Sequence, residues 1–138
     1  MVKFSPKAKL KILGKSMNIL IVDDSHTIRR ELKLLLEKHH YLVFEAGNGV
    51  EGLTFLKNCE FEIDLIISDL EMPQMDGVEF IKNKKEIPKY KDTPCLIYTS
   101  NIKPGLRDIT KPLGVKAVLP KPLKENHVMR IISSILKK

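Results

Sequence analysis

Beginning at residue 18, short apolar or β-branched runs alternate five times with longer stretches whose apolar residues recur at helical spacing. This alternation leaves few folds open, because parallel strands joined by helices must bury both faces of their sheet. Residues 18–22, 42–45, 64–68, 95–99 and 116–119 read as strands, and their near-continuous apolar character fits burial on both sides. Between them, Asp24 or Ser25 can cap a helix carrying Ile28, Leu32, Leu35 and Leu36 through His39. Asn48 leads into a second helix with Val50, Leu53, Phe55 and Leu56, ending near Cys59. Asp76-Gly77 is a loop signal ahead of Val78, Phe80 and Ile81, which begin a third. Residues 102–113 read as a short or irregular fourth helix. Pro104 and Gly105 suit a first turn, but Pro112 falls where the last turn belongs. Residues 125–136 carry Val128, Ile131, Ile132, Ile135 and Leu136 on one helical face. The expectation is a doubly wound α/β fold: five parallel strands with helices on both faces.

A chain of 138 residues is one domain, long enough to fold without disulfides or a structural metal. Its apolar runs are four or five residues long, far below the ~20 that a membrane-spanning helix needs. The opening residues lack the continuous apolar core of a secretory signal. Cys59 and Cys95 are the only cysteines, which with the missing signal leads to an expected cytoplasmic location. The net charge is +7, but residues 1–17 hold five lysines and no acid, leaving +2 for the rest. The expected organisation is therefore a basic, flexible N-terminal arm over 1–17 and a folded domain over 18–138. Such an arm reads as a solvated tail ahead of any nucleic-acid or lipid contact.

In an open parallel sheet, ligands bind beyond the carboxyl ends of the strands. The first strand ends in Asp23-Asp24, the third in Asp69, the fourth in Thr99-Ser100, and the fifth runs into Lys121. Three carboxylates, a hydroxyl and an ammonium are thus expected on one edge. Carboxylates so crowded resist full ionisation unless a cation joins them, and an all-oxygen set favours a hard ion such as Mg²⁺. An ion and Lys121 together can hold a phosphoryl group, with Thr99 donating to one of its oxygens; positioning and charge neutralisation are most of what phosphoryl transfer requires. A carboxylate is an ordinary nucleophile for phosphate. Taken singly, each residue is commonplace: an Asp after a strand caps a helix, and a lone Lys is a surface charge. His26, His39, His40 and His127 are scattered without metal-ligand spacing.

The segments ILIVDDS at 19–25, ISDLEMPQMDG at 67–77, YTS at 98–100 and LPKPL at 119–123 resemble the receiver domain of two-component response regulators, in particular the single-domain chemotaxis type. The resemblance covers 18–138. It implies a flavodoxin-like (βα)5 fold with strand order 2-1-3-4-5. Asp69 is implied as phosphoacceptor, and Asp23, Asp24, Asp69 and the backbone carbonyl of Glu71 as the Mg²⁺ ligands. Thr99 and Lys121 are implied as the groups that contact the phosphoryl oxygens, with a cis peptide before Pro122. The implied function is a phosphorylation-activated switch rather than an enzyme acting on other substrates. It is charged by a histidine kinase or phosphotransfer protein and changes the surface it offers to a target protein. Chemotaxis, motility or a phosphorelay is the implied setting. A monomer without a DNA-binding or other output domain is expected.

Two features depart from the pattern: Pro104, Gly105 and Pro112 make the fourth helix atypical, and one position lacks its usual aromatic. The family usually carries Tyr or Phe three residues before the lysine, and here that residue is Val118. Other readings remain: a receiver cut from a longer regulator or hybrid kinase, or a non-switching interaction module. A phosphatase of the aspartate-nucleophile type is a further one. Such enzymes carry D-x-D-x-T after the first strand, where this chain has Ser25 in place of the second Asp.

Overall fold

The computed structural model describes residues 17–136. Five strands, β1 (Asn18–Val22), β2 (Leu42–Ala46), β3 (Leu65–Ser68), β4 (Cys95–Thr99) and β5 (Val115–Pro120), form one parallel sheet in the order β2-β1-β3-β4-β5. The helices are α1 (His26–Lys38), α2 (Gly49–Asn58), α3 (Gly77–Lys84), α4 (Leu106–Thr110) and α5 (Glu125–Ile135). This is the doubly wound, flavodoxin-like architecture expected from the sequence.

Side chains alternate across β1, so Leu20 and Val22 join one core while Ile19 and Ile21 join the other. The first core packs Leu53 and Leu56 of α2, Phe80 and Ile81 of α3, and Leu106 of α4 on the sheet. The second packs Leu32, Leu35 and Leu36 of α1 and Val128, Met129 and Ile132 of α5 on the opposite face. Among the described residues no helix is long and apolar enough to cross a membrane. Of the arm read over 1–17, residues 1–16 lie outside the described residues. The carbonyl of Met17 already accepts from the Leu42 N–H, at 2.9 Å.

Local chemistry explains most boundaries. Ser25, not Asp24, caps α1, its side chain accepting from the Ile28 N–H. Asn48 and Asp76 cap α2 and α3 in the same way. Val50 was expected on the apolar face of α2, but it points outward; Leu53 and Leu56 carry the burial. The fourth helix is short, as expected. Ile102 is exposed, α4 starts only after Gly105 with its φ of 83°, and Pro112 sits in a 3-10 turn over Lys111–Leu113. Strand β5 continues through Pro120 instead of stopping before it. It lies at the sheet edge, where a residue without an N–H is tolerated. Lys84 is fully buried, and its ammonium donates to the carbonyls of Thr93 and Lys91 at 2.9 and 3.4 Å. Those bonds satisfy a charge that would otherwise be costly to bury and fix the turn before β4.

Candidate functional site

The loops after β1, β3, β4 and β5 meet at one edge of the sheet, and register brings them there. Val22 pairs with Ser68, Ser68 with Ile97, and Thr99 with Pro120, so the next residues of each strand converge. The Asp69 N–H donates to the Val22 carbonyl at 2.8 Å, and the Lys121 N–H to the Thr99 carbonyl at 2.9 Å. Asp23 and Asp69 are buried, Asp24 is exposed, and Thr99 is buried at the end of β4. Carboxylate oxygens of Asp23, Asp24 and Asp69 all lie within 4.8 Å of one another.

Lys121 closes the cluster. Its Nζ is 2.9 Å from Asp23 Oδ2 and 3.3 Å from Asp69 Oδ2. Each remaining oxygen is held by backbone: Asp23 Oδ1 accepts from the Ser25 N–H at 2.8 Å and Asp69 Oδ1 from the Leu70 N–H at 2.7 Å. The peptide between Lys121 and Pro122 is cis, as the resemblance implied. Thr99 Oγ1 accepts from the Asn101 N–H at 3.2 Å, which leaves its own proton to donate.

Sequence reasoning missed three contacts here. Arg29 Nη1 donates to the Asp23 carbonyl at 2.6 Å while its Nε meets Glu45. Asn101 Nδ2 donates to Glu71 Oε2 at 2.9 Å, tying the loop after β3 to the loop after β4. Gly77 is buried against the backbone of the acidic loop, its N–H donating to the Leu70 carbonyl at 2.7 Å. Only Gly77 had left a trace, as a turn signal. His26 is exposed, and none of the four histidines belongs to the cluster.

Burial raises the Asp69 carboxyl above the ordinary carboxylate range and the Asp23 carboxylate raises it further, against the lowering influence of Lys121 and the Leu70 N–H. A carboxylate that ionises less readily folded than unfolded lowers stability above its folded pKa and has no effect below its unfolded one. Stability therefore falls as the pH rises from the ordinary value of 3.8 through the raised value. Without metal, Asp69→Asn is expected to be more stable than the parent at neutral pH, and the advantage should shrink as the pH falls toward 3.8. Urea denaturation across this range checks it; equal stability at neutral pH would refute the strain.

The donor set fits a hard divalent cation. All donors are oxygen, the three carboxylates already converge, and Asp69 resists ionisation beside Asp23.

Comparison with known proteins gives a consistent picture. The family model described as the response regulator receiver domain matches residues 19–133. The sensor histidine kinase CheAY of Helicobacter pylori is 31% identical over 133 residues, which is 96% of this chain but 17% of that protein. The chemotaxis protein CheY homolog of Campylobacter jejuni is 34% identical over 119 residues, covering 79% of this chain and 88% of that protein. The solved structure of the Vibrio cholerae chemotaxis protein CheY4 matches with a TM-score of 0.80 at 32% identity, over 87% of this chain and 98% of that one.

Proposed function

The chain belongs to the response regulator receiver domain family of two-component signalling, and from that premise we propose that it is a Mg²⁺-dependent switch phosphorylated on Asp69. The observation that carries this reading is the convergence of three carboxylates within 4.8 Å at the strand ends, with the Lys121 ammonium between Asp23 and Asp69. In the proposed reaction an Asp69 carboxylate oxygen forms a bond to phosphorus as the phosphorus–nitrogen bond of a kinase or phosphotransfer phosphohistidine breaks, and the imidazole leaves. Asp23, Asp24, Asp69 and the Glu71 backbone carbonyl would hold the ion. Bound Mg²⁺ supplies neutralising charge to the carboxylates and to the phosphoryl oxygens. Thr99 donates its hydroxyl proton to one phosphoryl oxygen, and Lys121 turns its ammonium from Asp69 to another. The chain promotes only its own phosphorylation and dephosphorylation.

The names of the CheY relatives favour a chemotaxis regulator, and we read the chain as a cytoplasmic monomer of that kind. CheAY favours the second reading, a receiver within a longer kinase. In either setting the target face includes residues 100–113. Val118 is buried and carries no ring to turn, so the pull of the phosphoryl group on Thr99 passes to this irregular segment. A groove of about 530 Å³, whose lining includes Arg107, Asp108 and Lys111 of this segment and Lys116 and Val118 of β5, opens on this face.

Intact mass after incubation with acetyl phosphate and Mg²⁺ tests the proposal. A gain of one phosphoryl group supports it, and no gain overturns it. Asp24→Asn is expected to lose most of the Mg²⁺-dependent rise in melting temperature. Its metal-free form should be at least as stable as the parent, since one repelling charge is gone. Retention of the parental Mg²⁺ effect would exclude Asp24 as a ligand. Every residue of the proposed site lies between positions 23 and 121, so a chain starting at Met17 is expected to accept phosphoryl groups at an unchanged rate. A large loss in that chain would assign the arm a part in the domain.

A further inference from the structure

Lys121 has a neighbour besides the acidic cluster. Its Nζ, 2.9 Å from Asp23 Oδ2 and 3.3 Å from Asp69 Oδ2, also lies over the ring of Tyr98, 5.5 Å from the centroid. Tyr98 is the penultimate residue of β4, adjacent to Thr99, and its register partner on β5 is Leu119. It is 3% exposed and packs in the core formed by α1 and α5. Val118 packs in the other core. An aromatic ring therefore touches the site's ammonium, but from the face of the sheet opposite position 118.

We propose that Tyr98 is a positioning residue for Lys121: the face of its ring holds the ammonium beside Asp23 and Asp69, and the ammonium leaves that ring when a phosphoryl group draws it away. This inference rests on the phosphoryl-switch reading above. The physical basis is the attraction of a cation to the negative face of an aromatic ring, which strengthens where water is excluded. Water is largely excluded here, since the Lys121 side chain is 13% exposed and the ring less still. The phenol stays neutral at any working pH, because burial, aided by the Glu31 and Asp23 carboxylates, pushes it up to about 12. A neutral ring keeps its quadrupole. Without the ring, Nζ keeps both carboxylates but gains freedom on the side facing the α1–α5 core, and misplacement of a group that must meet a phosphoryl oxygen slows the transfer.

Two substitutions separate ring from bulk. Tyr98→Phe keeps the aromatic face, and Tyr98→Leu keeps apolar volume without it. Phosphoryl uptake from acetyl phosphate should be within twofold of the parent for Tyr98→Phe and about fivefold slower for Tyr98→Leu, the scale of one partly desolvated cation–ring contact. Equal rates for Leu and parent, or equal slowing by Leu and Phe, would overturn the proposal.

A spectral readout works without any turnover. The chain has three tyrosines and no tryptophan, so its near-ultraviolet spectrum reports on few rings. In metal-free protein, Lys121→Met should shift that spectrum, and the shift should vanish when the same change is made on Tyr98→Phe. Beryllofluoride with Mg²⁺ should produce a similar shift in the parent and none in Tyr98→Phe. If the parent takes up no phosphoryl group, the switch reading fails, and the metal-free spectra still decide whether Tyr98 senses Lys121. An unshifted spectrum in Lys121→Met overturns the proposal even where Tyr98→Leu does not fold.

Discussion

Asp69→Asn is expected to abolish the gain of one phosphoryl group from acetyl phosphate, leaving the intact mass of the variant unchanged after incubation with Mg²⁺. The expectation follows from position as much as from chemistry. Asp69 ends β3, the middle strand of five, with its backbone N–H fixed to the Val22 carbonyl. Of the three clustered carboxylates, Asp23 holds Lys121 the more tightly, at 2.9 Å against 3.3 Å for Asp69, and its other oxygen accepts from the Ser25 N–H. Asp24 is exposed and bound to no described side chain. Asp69 combines burial, a fixed backbone and an ammonium within 3.3 Å, which is where an incoming phosphoryl group needs charge neutralised. Asn keeps the shape of the side chain and loses the nucleophile. Because the same variant should be the more stable protein at neutral pH, unfolding does not explain the loss. A phosphoryl adduct of undiminished yield in Asp69→Asn would move the acceptor to another residue.

Gly77→Ala should be the most damaging glycine-to-alanine change among the described residues. Gly77 opens α3, and a Cβ there would collide with the carbonyl oxygen of Asp69 and press on Leu70 Cα. Both obstacles are backbone, so no rotamer change relieves them. Either α3 withdraws from the sheet or the end of β3 moves. Overpacking of this kind costs roughly 2–3 kcal/mol, which for a domain of this size lowers the melting midpoint by about 10 °C. Phosphoryl acceptance should fall further than stability, because the displaced backbone carries Asp69. Gly114→Ala is the comparison: nothing lies within 4 Å of its Cβ position, and only the φ of 89° opposes it. That costs about 1 kcal/mol and should leave phosphorylation intact. Equal melting points for the two variants would contradict the packing argument.

The fold and the cluster were legible in the sequence for the same reason. A parallel sheet covered on both faces writes its strands as apolar runs, and its topology delivers the residue after each run to one edge. Reading Asp23, Asp69, Thr99 and Lys121 needed only the strand ends. The geometry that completes the site was not legible in this way. Asn101 reaches Glu71, and Arg29 reaches the Asp23 carbonyl, through side-chain directions that no period encodes. Tyr98 lies in an apolar strand whose pattern does not single it out. Its relation to Lys121 depends on which face of β4 it takes and on where the chain turns after Pro120. Residues 102–113 were ambiguous because the two prolines and Gly105 argue for different ends of one helix; the chain resolves this by splitting the segment into a short α-helix and a 3-10 turn.

The pairing of Lys121 with Asp23 spans 98 positions of the chain. During synthesis, ribosomes extend chains at about 5–20 residues per second, so the stretch from Asp69 to Lys121 takes about 3–10 s to appear. Throughout that interval a nascent chain holds all three carboxylates and lacks the ammonium that draws two of them together. Contacts so distant also form late in refolding, because loop closure must precede them. On the proposed phosphoryl-switch reading, competence to take a phosphoryl group waits for the chain to extend through β5 to Lys121, and half-made chains would add nothing to the signal.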